Sequence, residues 1–449
     1  MTLWSGRFEG SPAEVLWDFT VDQSDRRLLV DDVHGSLAHV AMLGQVGILS
    51  DEETDLLKEG LWSILREAEG GTFAFLSTDE DVHSAVERRL GELKGEAAGK
   101  LHSGRSRNDQ VALDLRLYLG RSTVARVGEL LTMVGVLADQ AETVGDLVVP
   151  SYTHLQQAQA VPLAHQLLAY GWMLLRDVDR FRDASRRINV SPLGAGAGGG
   201  SSLSLDPDAV AETLGLSATF ENSLDAVGAR DFAAEYVFGC AQAMVHLSRL
   251  AEDIVLWCTT EFGWLTMDDA FMTGSSAMPQ KRNPDAAELV RGKAATVIGD
   301  STSLLALQKG LPMTYNRDLQ EDKRLVFHAD DTLAGSLAVI GGMLSTSEFH
   351  PPAPSGNVTA LDLAEALVDR GIPFREAHEA VGGLVTALDQ RGRTLADVQE
   401  SDLAEAHDAF LPEDLDRAHP TRSTNRRVTA GGGSMASVAA QLEAMRGRL

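Results

Sequence analysis

Long runs of helical periodicity are the feature of this 449-residue sequence that most constrains its fold. Apolar residues recur with the spacing of one helix face, first in the series Val124, Val127, Leu131, Val134 and Leu137. Five such stretches predict long helices, around residues 111–137, 163–181, 230–262, 284–308 and 317–345. These helices are too apolar for the solvated bundle of a single chain, which favours burial against other subunits over a large monomeric core.

Two breaks in the helical pattern divide the chain. They are "GKLHSGRSRNDQ" at 99–110 and the proline-rich "SEFHPPAPSGN" at 347–357. We therefore predict an all-α fold, in which a long central helix bundle (107–350) is flanked by smaller helical domains at 1–106 and 351–449. In the first of these, the capping-box spacing from Ser77 to Glu80 predicts a helix over 77–93.

Composition restricts the possible partners. Acidic residues outnumber basic ones 65 to 39, giving a net charge of −26, which argues against nucleic acid or an anionic membrane as a partner. Cys240 and Cys258 lie in apolar helical patterns and are interpreted as buried, reduced thiols. The sequence shows no targeting leader and no apolar run of about 18 residues, so we predict a cytoplasmic protein.

The stretch "GSSAMPQKRNPD", residues 274–285, concentrates hydrogen-bond donors in a chain that is otherwise acidic. Pro279 and Pro284 interrupt any helix, and Asn283 is predicted to be an N-cap with Pro284 as the first helical residue. The free N–H groups of that helix start, together with Lys281, suit a carboxylate whose negative charge grows during a reaction. The alternative is an ordinary capped helix start beside a solvated Lys-Arg pair.

Three further polar clusters add candidate functional residues: "HSGRSRNDQ" (102–110), "SYTHLQQAQ" (151–159) and "PMTYNRDLQEDK" (312–323). His154 stands within a run of hydrogen-bonding side chains, which favours an acid–base role over a structural one. Gln320 and Lys323 are three residues apart and are predicted to share a helix face. For each cluster a solvated surface segment is the alternative interpretation.

Cofactor motifs are missing from the sequence. Neither the histidines nor the two cysteines show metal-ligand spacing, and neither a dinucleotide fingerprint nor a Gly-x-Ser-x-Gly elbow occurs. The glycine-rich segment 191–202 lacks the Gly-Lys-Ser/Thr ending of a phosphate loop, so we interpret it as a flexible interhelical loop. We predict no metal and no cofactor. Hydroxyls, one histidine, amides and cations suit proton abstraction beside a carboxylate, followed by loss of a leaving group.

At this point the motifs resemble a known group of enzymes. "GSSAMPQKRNPD" resembles the signature loop of the fumarase/aspartase superfamily, whose members cleave C–N or C–O bonds and release fumarate. Within it, "HSGRSRNDQ", "THLQQAQ" and Gln280 are similar to the argininosuccinate lyase family. The similarity runs from "LWSGRF" at 3–8 to "PFREAHEA" at 373–380. It implies cleavage of argininosuccinate to arginine and fumarate by a homotetramer whose active sites are shared between subunits.

The resemblance also implies roles for individual residues. His154 and Ser275 would be the proton-transfer pair, Glu288 would orient and charge His154, and Lys281 would act with them in catalysis. We favour Ser275 as base and His154 as acid, and the reverse assignment remains open. The implied substrate-binding residues are Arg107, Asn108, Thr153, Asn283, Tyr315, Gln320 and Lys323.

One departure from the family pattern lies near the N-terminus. Where the family has "F-x-A-S", this chain has "FTVDQSDRR" at 19–27, apparently one residue shorter. The corresponding substrate contact, near Asp22 or Ser24, is left unassigned. Two alternative functions remain: a sister lyase such as one acting on adenylosuccinate, which the "GRSRNDQ" motif disfavours, and a non-catalytic structural homologue, which His154 and Ser275 disfavour.

Overall fold

The structure is a computed structural model that describes residues 13–449, so the "LWSGRF" motif lies outside the described residues. Within this range the fold is all-α, as predicted, and most of the chain is helical. The α-helices are α1 (Glu14–Thr20), α2 (Leu29–Gln45), α3 (Asp51–Glu69), α4 (Val82–Lys94), α5 (Arg107–Val144), α6 (Leu163–Ile188), α7 (Pro207–Thr213), α8 (Ser223–Gly228), α9 (Asp231–Trp257), α10 (Asp285–Gln308), α11 (Asp322–Ser345), α12 (Ala360–Asp369), α13 (Phe374–Gln390), α14 (Glu400–Ala406), α15 (Leu415–Ala418), α16 (Pro420–Thr424) and α17 (Met435–Arg446).

Short strands lie between the helices and pair into two-stranded sheets. They are β1 (Val148–Thr153), β2 (Gln156–Pro162), β3 (Val190–Ser191), β4 (Ala218–Thr219), β5 (Leu265–Thr266), β6 (Thr273–Gly274), β7 (Arg282–Asn283) and β8 (Glu348–Phe349). Strands β1 and β2 form an antiparallel hairpin in which Thr153 pairs with Gln156. Strands β6 and β7 also pair antiparallel, with Thr273 opposite Asn283.

The five predicted long helices are confirmed as α5, α6, α9, α10 and α11, which span 24 to 38 residues. Two predicted helix starts are wrong. Helix α4 begins at Val82, because the Asp81 carboxylate accepts a hydrogen bond from the N–H of Ser84 (2.7 Å) and the Ser84 hydroxyl bonds back to Asp81. Helix α10 begins at Asp285, so Pro284 precedes it, and Asn283 belongs to β7 instead of capping the helix.

The chain divides into two compact units, and each long helix contributes to both. Unit 1 comprises the described part of Met1–Val127 together with Asp179–Gln242 and Lys293–Ala334, and unit 2 comprises Gly128–Val178, Ala243–Gly292 and Gly335–Leu449. The predicted domain boundaries after residues 106 and 350 fall between helices and strands, and the three-domain division stays a prediction. None of the helices within residues 13–449 combines the length and the apolar character that crossing a membrane requires.

The core of unit 1 has two parts. Helices α2, α3 and α4 bury a leucine-rich cluster that includes Leu43, Leu61 and Leu90. Around Asp330 on α11, the carboxylate accepts hydrogen bonds from Tyr118 on α5 (2.7 Å) and Tyr236 on α9 (2.5 Å). A buried carboxylate with two such donors fixes the register of three long helices, because moving any one of them would leave a buried polar group unpaired.

In unit 2, helices α6 and α9 are joined by a hydrogen bond from the Tyr170 hydroxyl to the Asp253 carboxylate (2.6 Å). The helices α12 to α15 bury their own cluster, which includes Leu363, Leu367 and Leu384. Of the two cysteines, Cys240 is buried in α9, as predicted, whereas Cys258 follows the end of α9 and is only half-buried. Both thiols are free.

Candidate active site

A cavity of about 200 Å³ lies in unit 1. Two segments far apart in the sequence supply the predicted side chains: the start of α5 and the residues that lead into α11. Five of the predicted substrate-binding residues line this cavity, namely Arg107, Asn108, Tyr315, Gln320 and Lys323. Side chains that the sequence assigned to one site are thus gathered within a single unit.

The start of α5 is fixed by a hydrogen-bonded turn. The Ser106 hydroxyl accepts the N–H of Asn108 (3.2 Å), and Asp109 accepts the N–H of Ser106 (2.9 Å), so two backbone donors at the helix start are paired with side chains. The other carboxylate oxygen of Asp109 accepts the N–H groups of Gly194 (3.1 Å) and Gly196 (2.8 Å). Burial raises the pKa of Asp109, although these backbone donors oppose that rise.

The glycine-rich segment therefore has a structural task at the cavity. The amide of Asn108 donates to the carbonyl of Ala197 (3.3 Å), and the Ser223 hydroxyl donates to the carbonyl of Gly198 (2.8 Å). Strand β3 leads directly into the segment. Its N–H groups bind the Asp109 carboxylate of this chain, so the segment supports Asn108.

Acidic residues that sequence reasoning missed pair with the predicted Arg107 and with Arg317, a second arginine of the cavity wall that was not predicted. The Arg107 guanidinium donates to Asp81 (2.7 Å) and lies 3.5 Å from Glu80. Arg317 also lies 3.5 Å from Glu80 and donates to the carbonyl of Thr20 (3.0 Å). Glu80 and Asp81 both line the cavity, and Asp81 also caps α4. The acidic run before α4 was the available signal.

The segment that leads into α11 carries Tyr315, Gln320 and Lys323. The Gln320 amide donates to the carbonyl of Thr20 (3.0 Å), and Lys323 donates to Asp322 (3.1 Å). Gln320 lies in the 3₁₀ turn Arg317–Glu321 and Lys323 in α11, and both side chains line the cavity. Burial raises the pKa of the Tyr315 hydroxyl, with the cations nearby acting in the opposite direction.

The N-terminal contact that the sequence left open involves Asp22. Asp22 lines the cavity and accepts hydrogen bonds from the N–H (3.0 Å) and the hydroxyl (2.5 Å) of Ser24. Burial works to raise the pKa of Asp22, but the bonds from Ser24 and the charge of Arg324 outweigh it and lower this pKa. Of the two residues considered, Asp22 is therefore the one at the cavity wall, and Ser24 holds it there.

Asp25 and His83 form the buried side of the cavity. Asp25 accepts the N–H of Val82 (3.1 Å), and burial raises its pKa to about 6 against the opposing charge of His83. The imidazole Nδ1 of His83 lies 2.8 Å from Asp32. Burial alone would lower the pKa of His83, but the Asp32 carboxylate outweighs it and raises that pKa. The raised pKa favours the charged form of His83 beneath a cavity wall rich in carboxylates.

Three of these buried groups could offer ligands to a metal ion. Asp32, His83 and Asp114 place one donor atom each within 4.8 Å of one another. The spacing rules applied to the sequence did not identify this set, because its members come from three helices. The hydrogen bond between His83 and Asp32 already uses two of the donor atoms. As it stands, the set is a hydrogen-bonded ion pair with a third carboxylate 3.6 Å away.

The predicted acid–base histidine lies in unit 2, at the tip of the β1–β2 hairpin. His154 and Leu155 form the two-residue turn, with φ angles of 54° and 57°. Turns of this type favour Gly, Asn or Asp, so a histidine and a leucine there store backbone strain. His154 is exposed, and within residues 13–449 its side chain makes no hydrogen bond. Thr153, also predicted, is the last residue of β1 and is exposed as well.

The central part of the "GSSAMPQKRNPD" motif forms a loop between two short strands of unit 2. Residues 275–281 connect β6 to β7, and the half-buried Ser275 hydroxyl accepts the N–H groups of Ala277 (3.3 Å) and Met278 (3.1 Å). Lys281 is exposed in this loop, and Glu288 is exposed on α10, 4.0 Å from Arg291. Within the described chain, no hydrogen bond or ion pair joins His154, Ser275 and Glu288, so their predicted partnership stays a prediction.

This arrangement matches that of known lyases in fold. A family model described as "Lyase" matches residues 6–299. An EDDS lyase in complex with formate superposes with a TM-score of 0.81 at 27% identity, covering 98% of this chain and 90% of that chain. A fumarate lyase from Mesorhizobium sp. BNC1 gives a TM-score of 0.75 at 19% identity, covering 98% and 99%. The fold is that of the fumarate lyase class of enzymes.

Closer relatives identify the family within this class. The argininosuccinate lyase of Acidothermus cellulolyticus is 49% identical, over 100% of this chain and 94% of its own length. That of Bacillus velezensis is 44% identical, over 96% of this chain and 95% of its own. A model described as "Argininosuccinate lyase C-terminal" matches residues 357–423. The chain belongs to the argininosuccinate lyase family.

Proposed function

We propose that the protein catalyses the reversible β-elimination of argininosuccinate to L-arginine and fumarate. The observation that carries this function is the cavity of unit 1, where five side chains assigned to substrate binding converge from α5 and from the start of α11. No cofactor takes part in the proposed reaction, because proton transfer and charge stabilisation suffice for an elimination beside a carboxylate.

The cavity suits the arginine-derived end of the substrate, which carries an ammonium and a carboxylate. Lys323 and the Gln320 amide offer donors to the carboxylate, and Asp22 and Asp25 offer acceptors to the ammonium. Charged hydrogen bonds of both kinds are roughly twice as strong as neutral ones. A site that presents both signs discriminates against ligands that have only one, because an unmatched buried charge is costly.

For the chemical step, Ser275 is the proposed base and His154 the proposed acid. Loss of the proton beside a carboxylate gives a doubly negative aci-carboxylate, which Lys281 and the N–H groups at the start of α10 would stabilise. One pair of unit charges at 4 Å contributes on the order of 4 kcal/mol at an effective dielectric of 20. Thr153, Asn108 and Asn283 would hold the succinyl carboxylates, and His154 would protonate the departing guanidino nitrogen. The reverse roles for Ser275 and His154 remain the alternative.

Strain at His154 supports its place in this mechanism. A non-glycine turn with two positive φ angles costs of order 1–3 kcal/mol per residue and persists where the surrounding structure requires it. The turn exposes the imidazole at the end of the β1–β2 hairpin, where another chain or a substrate can reach it. Glu288 of a neighbouring subunit would orient His154 and stabilise its positive charge.

We further infer that the protein is a homotetramer with shared active sites. Helix α10 buries one stripe of side chains, yet on its other faces Leu289, Ile298 and Leu305 are 62%, 46% and 61% exposed. From residue 294 to residue 308, Asp300 is the only charged side chain. Large apolar side chains exposed along a helix with so few charges require cover, which other copies of this chain would supply.

The inferred location is the cytoplasm. Cys240 and Cys258 are both free thiols, and compartments that keep thiols reduced are intracellular. The exposed surface of α10 would be covered by other subunits there, so its apolar character needs no membrane.

The test of the reaction is fumarate release from purified protein, followed by ultraviolet absorbance. Argininosuccinate should yield fumarate and arginine in equal amounts, and adenylosuccinate should yield none. Fumarate from adenylosuccinate alone would assign the sister activity. If neither substrate yields fumarate, the result would favour a non-catalytic structural homologue.

Shared active sites are tested by mixing two inactive variants. His154→Ala and Ser275→Ala proteins, denatured together and refolded, should regain part of the wild-type activity, because some sites then receive both intact residues from different chains. Each variant refolded alone is the control. A monomer by light scattering, or a mixture that stays as inactive as its components, contradicts the inference.

A further inference from the structure

Lys323 belongs to a buried chain of three charges. Its ammonium donates to one carboxylate oxygen of Asp322 (3.1 Å), and the Nε of Arg230 donates to the other (2.5 Å). Asp322 and Arg230 are fully buried, whereas Lys323 lines the cavity. The Arg230 guanidinium is itself anchored, because it also donates to the carbonyls of Val227 (3.3 Å) and Ala229 (2.7 Å).

The geometry points to Asp322 as a positioning residue that holds the Lys323 ammonium at the cavity, with Arg230 holding Asp322. This inference rests on the proposed function, in which Lys323 binds the carboxylate of the arginine-derived end. Asp322 is shared between two cations, so the three groups carry a net charge of +1. The group therefore presents net positive charge to a ligand in the cavity. If Asp322 paired with Lys323 alone, the two charges would cancel.

Two features favour positioning over a purely stabilising role. Buried ion pairs contribute little to stability compared with well-packed apolar residues of the same volume, so stability alone does not account for three linked charges. Flexible lysine side chains also lose rotamer freedom on binding, and a neighbour that holds the ammonium in place beforehand removes that cost. Asp322 makes this contact from the first residue of α11, directly beside Lys323 in sequence.

The test separates the two ends of the substrate. Asp322→Asn should raise KM for argininosuccinate about tenfold or more, with kcat within about twofold, because the lost interaction is made equally in the ground and transition states. Inhibition by arginine should weaken by a similar factor, and inhibition by fumarate should not change. Asp318→Asn is the matched control, because it removes the same charge from an exposed position four residues earlier. It should leave KM, kcat and both inhibition constants unchanged.

Coupling to Lys323 provides the second readout. If Asp322 acts through Lys323, Asp322→Asn should add little to the KM effect of Lys323→Met, since the two changes remove one interaction. Additive effects would overturn the inference, as would equal weakening of arginine and fumarate inhibition. Restoration of KM by Asp322→Glu, which keeps the carboxylate, would support it, and a KM that stays raised in that variant would count against it.

Asp322→Asn leaves the Arg230 guanidinium buried without its carboxylate, so a second variant is needed in case the single variant does not fold. The double variant Arg230→Gln/Asp322→Asn removes both charges and should show the same raised KM, whereas a wild-type KM would overturn the inference. If the wild-type protein released no fumarate from argininosuccinate, the proposed function would fail by itself. Calorimetric titration with arginine would then test positioning directly, and equal affinity in wild type and Asp322→Asn would overturn it.

Discussion

The cavity of unit 1 and the exposed motifs of unit 2 differ in how far one chain completes them. In the cavity, Arg107, Gln320 and Lys323 each have a hydrogen-bond partner from their own chain. In unit 2, His154 and Lys281 are exposed, and their side chains make no hydrogen bond within residues 13–449. Recognition groups are thus held in place before any substrate arrives, whereas the proposed acid His154 and Lys281 are not.

This difference has a physical basis. Binding groups that are already oriented lose little entropy when the substrate arrives, which favours affinity. A serine hydroxyl is a poor base until donors stabilise its alkoxide, so Ser275 gains from a loop that rearranges and from partners on other chains. We therefore expect substitutions in the loop to reduce turnover and substitutions around the cavity to change binding and stability.

The largest effect should come from Ser275→Ala. It removes the proposed base, and turnover should fall by roughly 10²- to 10⁴-fold, with the melting temperature and arginine binding unchanged. Ser276→Ala, at the exposed neighbouring position, is the matched control. Near-normal turnover in Ser275→Ala would make the loop a substrate clamp and leave His154 as the base.

Lys281→Met should have the next largest effect, and it should differ in kind. The lysine charge acts on the bound carboxylates and more strongly on the aci-carboxylate, so KM should rise and kcat should fall, with a combined loss of roughly 10²-fold in kcat/KM. Lys281→Arg keeps the charge and should recover part of the loss. A change in KM alone would show that Lys281 binds substrate without assisting the chemical step.

The long helices were predictable because their signal is local. Apolar residues spaced for one helix face indicate α5, α9, α10 and α11 wherever they occur, whatever the tertiary contacts. The prediction that Arg107 lies near Tyr315 and Lys323 had a different basis. It followed from the family resemblance, since no spacing rule connects positions separated by about two hundred residues.

The acidic side of the cavity shows where local patterns fail. Ser77 to Glu80 and Asp81 to Ser84 both have the spacing of a capping box, and the structure uses the second pair. What determines the register is not local: Val82 is buried, and its N–H donates to Asp25, 57 residues earlier in the chain. The β1–β2 hairpin was missed because its turn residues, His154 and Leu155, are not turn formers.

Asp25→Asn tests whether a buried charge in the cavity lowers the stability of the protein while it contributes to binding. Because burial raises the pKa of Asp25 to about 6, the folded state binds more protons than the unfolded state between about pH 4 and pH 6. Stability falls as pH rises through this window. Asn keeps an acceptor for the Val82 N–H but has no charge, so Asp25→Asn should be more stable than wild type by about 2–3 kcal/mol at pH 8.

The difference in the free energy of unfolding should shrink towards zero as the pH falls below about 4, where Asp25 becomes protonated in the unfolded as well as in the folded state. Denaturant unfolding at several pH values measures it. The same substitution should weaken arginine binding, since it removes an acceptor for the ammonium. A difference that stays constant from pH 4 to pH 8 would mean that the Asp25 charge is not buried as the structure indicates.

The smallest effect concerns the glycine-rich segment that supports the cavity, where two adjacent glycines make a matched pair. Gly198 has a φ of +132°, and an added Cβ would lie 2.6 Å from the Thr314 methyl group, whereas Gly199 has open space around it. Gly198→Ala should therefore cost about 1–2 kcal/mol of stability and raise KM severalfold, because the clash falls on the residue before Tyr315. Gly199→Ala should stay within about 0.5 kcal/mol of wild type and keep its KM. If the two variants behaved alike in urea unfolding and in kinetics, the segment that supports the cavity would absorb the added methyl group. The cavity of unit 1 would then not be held more rigidly than the loop of unit 2.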